Sequence, residues 1–126
     1  MRKQSLTLLP QAFRFAASGL WLAISKQRNF RVHLIVASVA ILLGLVLAVS
    51  AVEMAILVFA AVLGLVAEMV NTAIEEVVDL VSREYSKQAK VAKDVAAGMV
   101  LLTAMGTFLV GVIILLPPLM TAVFNF

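Results

Sequence analysis

LVAEMVNTAIEEVVDLVSREYSKQAKVAKD, residues 65–94, is the stretch whose reading decides the fold. It grows out of an apolar run, MAILVFAAVLGLVA at residues 54–67, and no proline or glycine interrupts it through Glu68, Asn71, Glu75, Glu76 and Asp79. One helix is therefore expected to continue through all five. At 100° per residue, Glu68, Glu75 and Asp79 fall within about 40° of one another, and Asn71 lies about 60° from Glu68. Thr72 and Ser82 join that stripe, while Glu76 stands to one side. A helix that begins as a membrane span thus turns three carboxylates and an amide the same way. Insertion costs roughly 2.5–3.5 kcal/mol per carboxylate at mid-membrane and less near an interface. Such a face needs a neutralising partner.

Composition sets the class. The 126 residues make one domain, 63% hydrophobic and only 13% charged, well outside the range of soluble globular chains. An all-α integral membrane protein is expected. The absence of cysteine excludes disulfides, thiolate metal sites and cysteine nucleophiles. The net charge of +3 does not mark a nucleic-acid binder, because the basic residues are arranged for membrane topology. All ten Lys and Arg lie in residues 2–31 or 83–93, and no charge occurs from Val32 to Val52 or from Val95 to Phe126. The positive-inside rule places both basic segments in the cytoplasm. The chain should therefore sit in the cytoplasmic membrane with its amino terminus inside and its carboxyl terminus outside.

Working outward, residues 11–27 (QAFRFAASGLWLAISKQ) read as an amphipathic interfacial helix. Arg14, Ser18 and Ser25 share one face, and Phe13, Ala16, Ala17, Leu20, Trp21 and Ile24 form the other. The preceding residues, ending at Pro10, carry too broken an apolar run for a signal-peptide core, so no cleavage is expected. Spans are expected over 34–52, 54–79 and 95–116, the first two joined as an antiparallel hairpin around Glu53. A polar, basic cytoplasmic loop over 82–93 links the second span to the third. Asp94 is read as opening the third helix and Pro117-Pro118 as ending it.

The carboxylates lie near the carboxyl-terminal end of their helix, where its dipole disfavours anions. Two bland explanations exist: pairing with Lys87, Lys90 or Lys93, or plain solvation of Glu76 and Asp79. The chemical one is a hard divalent cation, which takes oxygen ligands, commonly one or two carboxylates plus nucleotide phosphates. Glu68 and Glu75 stand about 10 Å apart along the helix, too far to share one ion easily. A division of labour follows. Glu75, nearer water, would serve the metal, and Glu68, deeper beside a lipid head group, would serve as general base. No glycine-rich phosphate loop occurs. His33, the only histidine, lies in a basic turn and reads as a solvated interfacial residue. Lys93 and Asp94 have structural readings as a snorkelling anchor and a first-turn acid.

Residues 67–98, AEMVNTAIEEVVDLVSREYSKQAKVAKDVAAG, closely resemble the signature of the small prokaryotic diacylglycerol kinase family, E-x-x-N-[ST]-A-I-E-x-x-V-D. Glu68, Asn71, Thr72, Ala73, Ile74, Glu75, Val78 and Asp79 fill it, and the resemblance extends along nearly the whole chain. It implies a homotrimer that phosphorylates a membrane lipid alcohol with MgATP. Glu68 would take the hydroxyl proton with Asn71 beside it, Glu75 would bind Mg²⁺, and Asp79 would support the site. Phe15, Glu84, Tyr85, Ser86, Lys93 and Asp94 would contact the nucleotide. Gln27 stands where the family usually has a second acidic metal ligand, which implies a weaker metal site. RNFRVH and KVAKDVAAG look more like the undecaprenol-phosphorylating branch than the diacylglycerol branch. The rival readings are a catalytically silent membrane assembly protein, supported by Gln27, and a small cation transporter. Against the transporter, the acids cluster towards one membrane face.

Overall fold

The computed structural model describes residues 3–82 and 86–124, and these form four helices: α1 (Lys3–Lys26), α2 (Arg28–Val46), α3 (Ala51–Val81) and α4 (Lys87–Phe124). Three of them, α2, α3 and α4, are long and apolar enough to cross a membrane. At 1.5 Å per residue, the 31 residues of α3 measure about 46 Å and the 38 of α4 about 57 Å. Both exceed a hydrocarbon core of about 30 Å. The chain is an all-α membrane protein.

The helix ends differ from the expected ones in four places. First, the turn between α2 and α3 falls at residues 47–50, inside the charge-free stretch assigned to the first span. Ser50 is the N-cap of α3. Its hydroxyl accepts from the Glu53 N–H at 3.3 Å, and the Glu53 carboxylate accepts from the Ser50 N–H at 2.8 Å. This capping box satisfies two donors that a helix start leaves unpaired. Hydropathy reports the cost of insertion but is blind to that signal. Second, α1 begins at Lys3 and runs through Pro10. The proline removes one i→i−4 bond, while its fixed φ remains compatible with a helix of strong helix formers.

Third, α4 starts at Lys87, not Asp94, because Ser86 caps it: the Ala89 N–H donates to Ser86 Oγ at 3.3 Å. KQAKVAK has no helix breaker, so nothing delays the start. Fourth, α4 continues through Pro117-Pro118 to Phe124. Proline frees carbonyls one turn back but does not forbid helical φ at its own position. In a membrane the helix is also the state that satisfies the remaining backbone.

α3 is the central helix, with α2 and α4 packed on it and scarcely touching each other. Two glycines set the approach. A methyl at Gly44 would stand 3.0 Å from Met54 Cε and 3.2 Å from Leu57 Cδ1. One at Gly64 would stand 3.6 Å from His33 Nδ1 and 3.9 Å from Thr107 Cγ2, so α2, α3 and α4 all meet at Gly64. Polar side chains elsewhere in the spans bond to their own helix: Ser38 to Leu34 O at 2.8 Å, and Thr107 to Thr103 O and Ala104 O at 3.0 Å each. That closes their hydrogen bonds without a partner helix. Most large apolar side chains point outward, Phe59, Phe108 and Ile113 among them. Such faces suit lipid or another protein surface.

α1 is exposed along the described part of its length except near its end, with Phe13, Phe15 and Trp21 outermost. Its junction with α2 is fixed. Ala23 and Phe30 are buried on either side of Gln27, and Arg31 Nη1 donates to the Ile24 and Ser25 carbonyls at 3.2 and 3.0 Å. Those carbonyls belong to the last turn of α1, where intrahelical partners are lacking and a cation suits the dipole.

Candidate active site

Glu68 lies 18 residues beyond Ser50, about 27 Å along α3, near the far limit of a hydrocarbon core measured from the hairpin. Among the described residues, Glu68 and Asn71 are the buried polar or charged side chains, 4% and 8% exposed. Glu75 is half-buried, and Glu76 and Asp79 are exposed. Burial thus decays along the stripe in the order expected from distance to the apolar run.

The carboxylate at Glu68 has a partner on α2: its Oε1 lies 3.4 Å from His33 Nε2. The reading of His33 as a solvated residue is corrected here, since its side chain is only 27% exposed and faces α3. The cause is register. Gly44 packs on Leu57 across the hairpin; His33 lies eleven residues before Gly44 and Glu68 eleven after Leu57. Eleven residues are about three turns, so the same helix faces meet again.

Asn71 links the deep acid to the next one, since its Nδ2 donates to Glu75 Oε1 at 3.1 Å. Its other polar atom, Oδ1, is buried with no hydrogen-bond partner. A buried amide oxygen left without a donor costs about 1–3 kcal/mol. Such a cost is expected where a group awaits a ligand.

A third element closes the wet end. Lys93 Nζ lies 2.5 Å from Asp79 Oδ1, joining the second turn of α4 to the last turn of α3. Both side chains are substantially solvent-exposed, at 38% and 65%. Asp94 is exposed. Ser86 is half-buried and caps α4 while also donating to Gln88 Oε1 at 3.1 Å. Glu84 and Tyr85 lie outside the described residues. Gln27, at the N-cap of α2, has extended backbone and no side-chain capping bond, so its amide is not used by the helix end. Phe15 projects from the exposed part of α1. No hydrogen bond or ion pair ties Phe15, Gln27 or Asp94 to the acid stripe, and no three His, Asp or Glu side chains cluster in metal-binding geometry among the described residues.

Beside this site, α2, α3 and α4 enclose an apolar groove of about 510 Å³, lined among others by Val36, Ala40, Ala61, Gly64 and Phe108. His33 is its polar lining residue next to Glu68. An apolar chain lying in the groove would therefore bring a terminal polar group up to His33, which stands between the groove and the Glu68 carboxylate.

Comparison with known proteins bears on the same residues. A family model described as prokaryotic diacylglycerol kinase matches residues 14–115, which contain the whole acid stripe, His33 and Lys93. The chain is 40% identical over 125 residues to a diacylglycerol kinase of Synechocystis sp., covering 96% of this chain and 71% of that protein. It is 36% identical over 110 residues to an undecaprenol kinase of Bacillus subtilis, covering 86% and 89%. A diacylglycerol kinase of Helicobacter pylori is 33% identical over 87 residues, covering 69% and 68%.

Proposed function

The chain belongs to the prokaryotic diacylglycerol kinase family, and from that premise we propose that it transfers the γ-phosphate of ATP to the hydroxyl of a membrane lipid alcohol, undecaprenol in preference to diacylglycerol. The observation that carries the reading is the buried Glu68 carboxylate, paired with the groove-lining His33 and followed at one-turn spacing by Asn71 and Glu75. A lipid alcohol needs such a place: a tail in apolar surroundings and a hydroxyl against a base.

Glu68 accepts the proton of the hydroxyl as its oxygen attacks the γ-phosphorus. The bond from that phosphorus to the β–γ bridging oxygen breaks, and ADP leaves. Phosphoryl transfer depends on positioning and charge neutralisation, which is why a membrane helix can serve without a glycine-rich loop. Asn71 holds Glu75 through the 3.1 Å hydrogen bond. Lys93, with Asp94 and the segment around Ser86, meets the nucleotide, and Asp79 keeps Lys93 extended towards it. Phe15 on α1 packs against the base.

The oxygen-only donor set fits Mg²⁺: Glu75 would hold it, with the uncommitted amide oxygen of Gln27, and the orphaned Asn71 Oδ1 is the acceptor expected beside such an ion. When bound, it neutralises phosphate charge. The protein acts as a homotrimer in the cytoplasmic membrane. Its amino terminus and the basic segment at 82–93 face the cytoplasm, as the Lys/Arg distribution supports.

Undecaprenol is favoured by the RNFRVH and KVAKDVAAG segments and by the near full-length match to the Bacillus subtilis protein. The Synechocystis relative supports the alternative, a diacylglycerol kinase making phosphatidic acid. Gln27 supports a second one, a silent assembly protein of the same fold. The deciding experiment offers purified protein labelled ATP with undecaprenol and diacylglycerol side by side, with Mg²⁺ or with chelator. Mg-dependent product lost in Glu68→Gln establishes the kinase and its acceptor. Product from Gln27→Glu alone would mean a kinase fold with a degraded metal site, and no product from either protein would leave the assembly role.

A further inference from the structure

We propose that His33 is a positioning residue for Glu68, its imidazole fixing the carboxylate that receives the acceptor's proton; the inference rests on the lipid-kinase reading above. Three observations converge on it. The Nε2 atom of His33 lies 3.4 Å from Glu68 Oε1, and Glu68 is the only charged group within ion-pair reach of it among the described residues. The ring spans one turn of α3, with Nδ1 over Gly64 and Nε2 at Glu68. Any side chain reaching beyond a methyl at Gly64 would lift the ring away, whereas glycine lets it lie against the helix. Finally, His33 also lines the apolar groove, so a hydroxyl entering from the groove meets His33, whose far nitrogen stands at Glu68.

The remaining neighbours add no charge. α4 presents Thr107, whose hydroxyl donates to its own helix, and Arg31, on the same helix as His33, is turned to the α1 carbonyls. The 3.4 Å between Nε2 and Glu68 Oε1 is ion-pair distance, longer than a hydrogen bond, and such contacts commonly tighten only when substrate binds. The ring thus stands against one carboxylate oxygen and leaves the other to face the hydroxyl. A carboxylate on a flexible side chain loses rate steeply when its aim is lost, about a hundredfold for a displacement near 1 Å.

Because His33 is the only histidine, two measurements isolate it. Imidazole nitrogen NMR of the full-length protein in detergent micelles, at one fixed pH, compares the two ring nitrogens in wild type and in Glu68→Gln. The Nε2 resonance should move in the variant and Nδ1, over Gly64, should move less, since only the nitrogen facing α3 at residue 68 loses its carboxylate partner. In the phosphoryl-transfer assay, His33→Leu should lose kcat by about tenfold to a hundredfold with KM for ATP unchanged. His33→Gln, which places an N–H donor at a similar reach, should recover most of the rate. Thermal midpoints of both variants report folding.

An Nε2 resonance unmoved in Glu68→Gln, or full kcat in a folded His33→Leu, overturns the positioning role. So does a folded His33→Gln that is as slow as His33→Leu, which would make the ring a proton carrier. A wild-type protein that phosphorylates no lipid alcohol sinks the kinase reading itself, and the positioning role with it, even where the Nε2 resonance shows the contact.

Discussion

Asn71 concentrates the tension of this molecule in one side chain. Its amide nitrogen is committed to Glu75 while its oxygen is buried without a donor. Asn71→Leu should therefore abolish at least 99% of phosphoryl transfer, roughly a hundredfold effect for loss of a positioning contact, while the thermal midpoint in detergent stays equal or rises, because an unsatisfied buried group has been removed. A large fall in midpoint would show that the amide is structural. Ala48 carries strain of another kind. It adopts φ 51° in the turn between α2 and α3, a conformation that costs a residue with a Cβ about 1–2 kcal/mol and glycine almost nothing. Ala48→Gly should raise stability by about 0.5–1 kcal/mol after the unfolded-state entropy of glycine is counted, measurable as a higher thermal midpoint with unchanged activity. At this scale the sequence was only half legible. The deep acid and its amide neighbour follow from spacing along one helix, but the approach of His33 to Glu68 does not, because the two lie 35 positions apart in the chain.

At the scale of elements, the helix ends carry the lessons. Ser50 and Glu53 form a reciprocal cap that starts α3, and both lie in plain view as S-x-x-E. Charge and hydropathy alone do not reveal them, because the uncharged stretch is long enough to span a membrane without a turn. Ser50→Ala should lower stability by about 1 kcal/mol and leave the substrate profile intact, since the cap lies about 27 Å along α3 from Glu68. The pairing of Lys93 with Asp79 brings the α4 start beside the α3 end. Being exposed, the pair adds at most about 1 kcal/mol. Lys93→Met should therefore leave the thermal midpoint within a few degrees of wild type, yet raise KM for ATP about tenfold or more in initial-rate assays. A midpoint collapse without a KM change would reassign Lys93 to a structural tether.

For the whole molecule, Gly64 is the point where three helices converge. Gly64→Ala places its methyl at ordinary contact distance and gains helix propensity, so stability should hold or rise by up to about 1 kcal/mol. Gly64→Leu has no such room. It should displace His33, fill the groove, and lower kcat with lipid acceptors while the protein still inserts as a multi-span chain, as membrane extraction would show.

What the sequence determined by itself is whatever depends on neighbours along the chain. Three apolar runs, an acid stripe of constant azimuth and the basic segments at 2–31 and 83–93 follow from local periodicity and hydropathy and are enough for an all-α membrane fold, while the family follows from the resemblance of residues 67–98 to its signature. The tertiary structure alone decided which group faces Glu68, where the groove lies, and that Asn71 keeps an unpaired oxygen. Those facts depend on the register between antiparallel helices. That register is set by a four-residue turn and by the close approach allowed at Gly44 and Gly64. A shift of one residue rotates a helix face by 100°, so contacts between helices cannot be read from either helix taken singly.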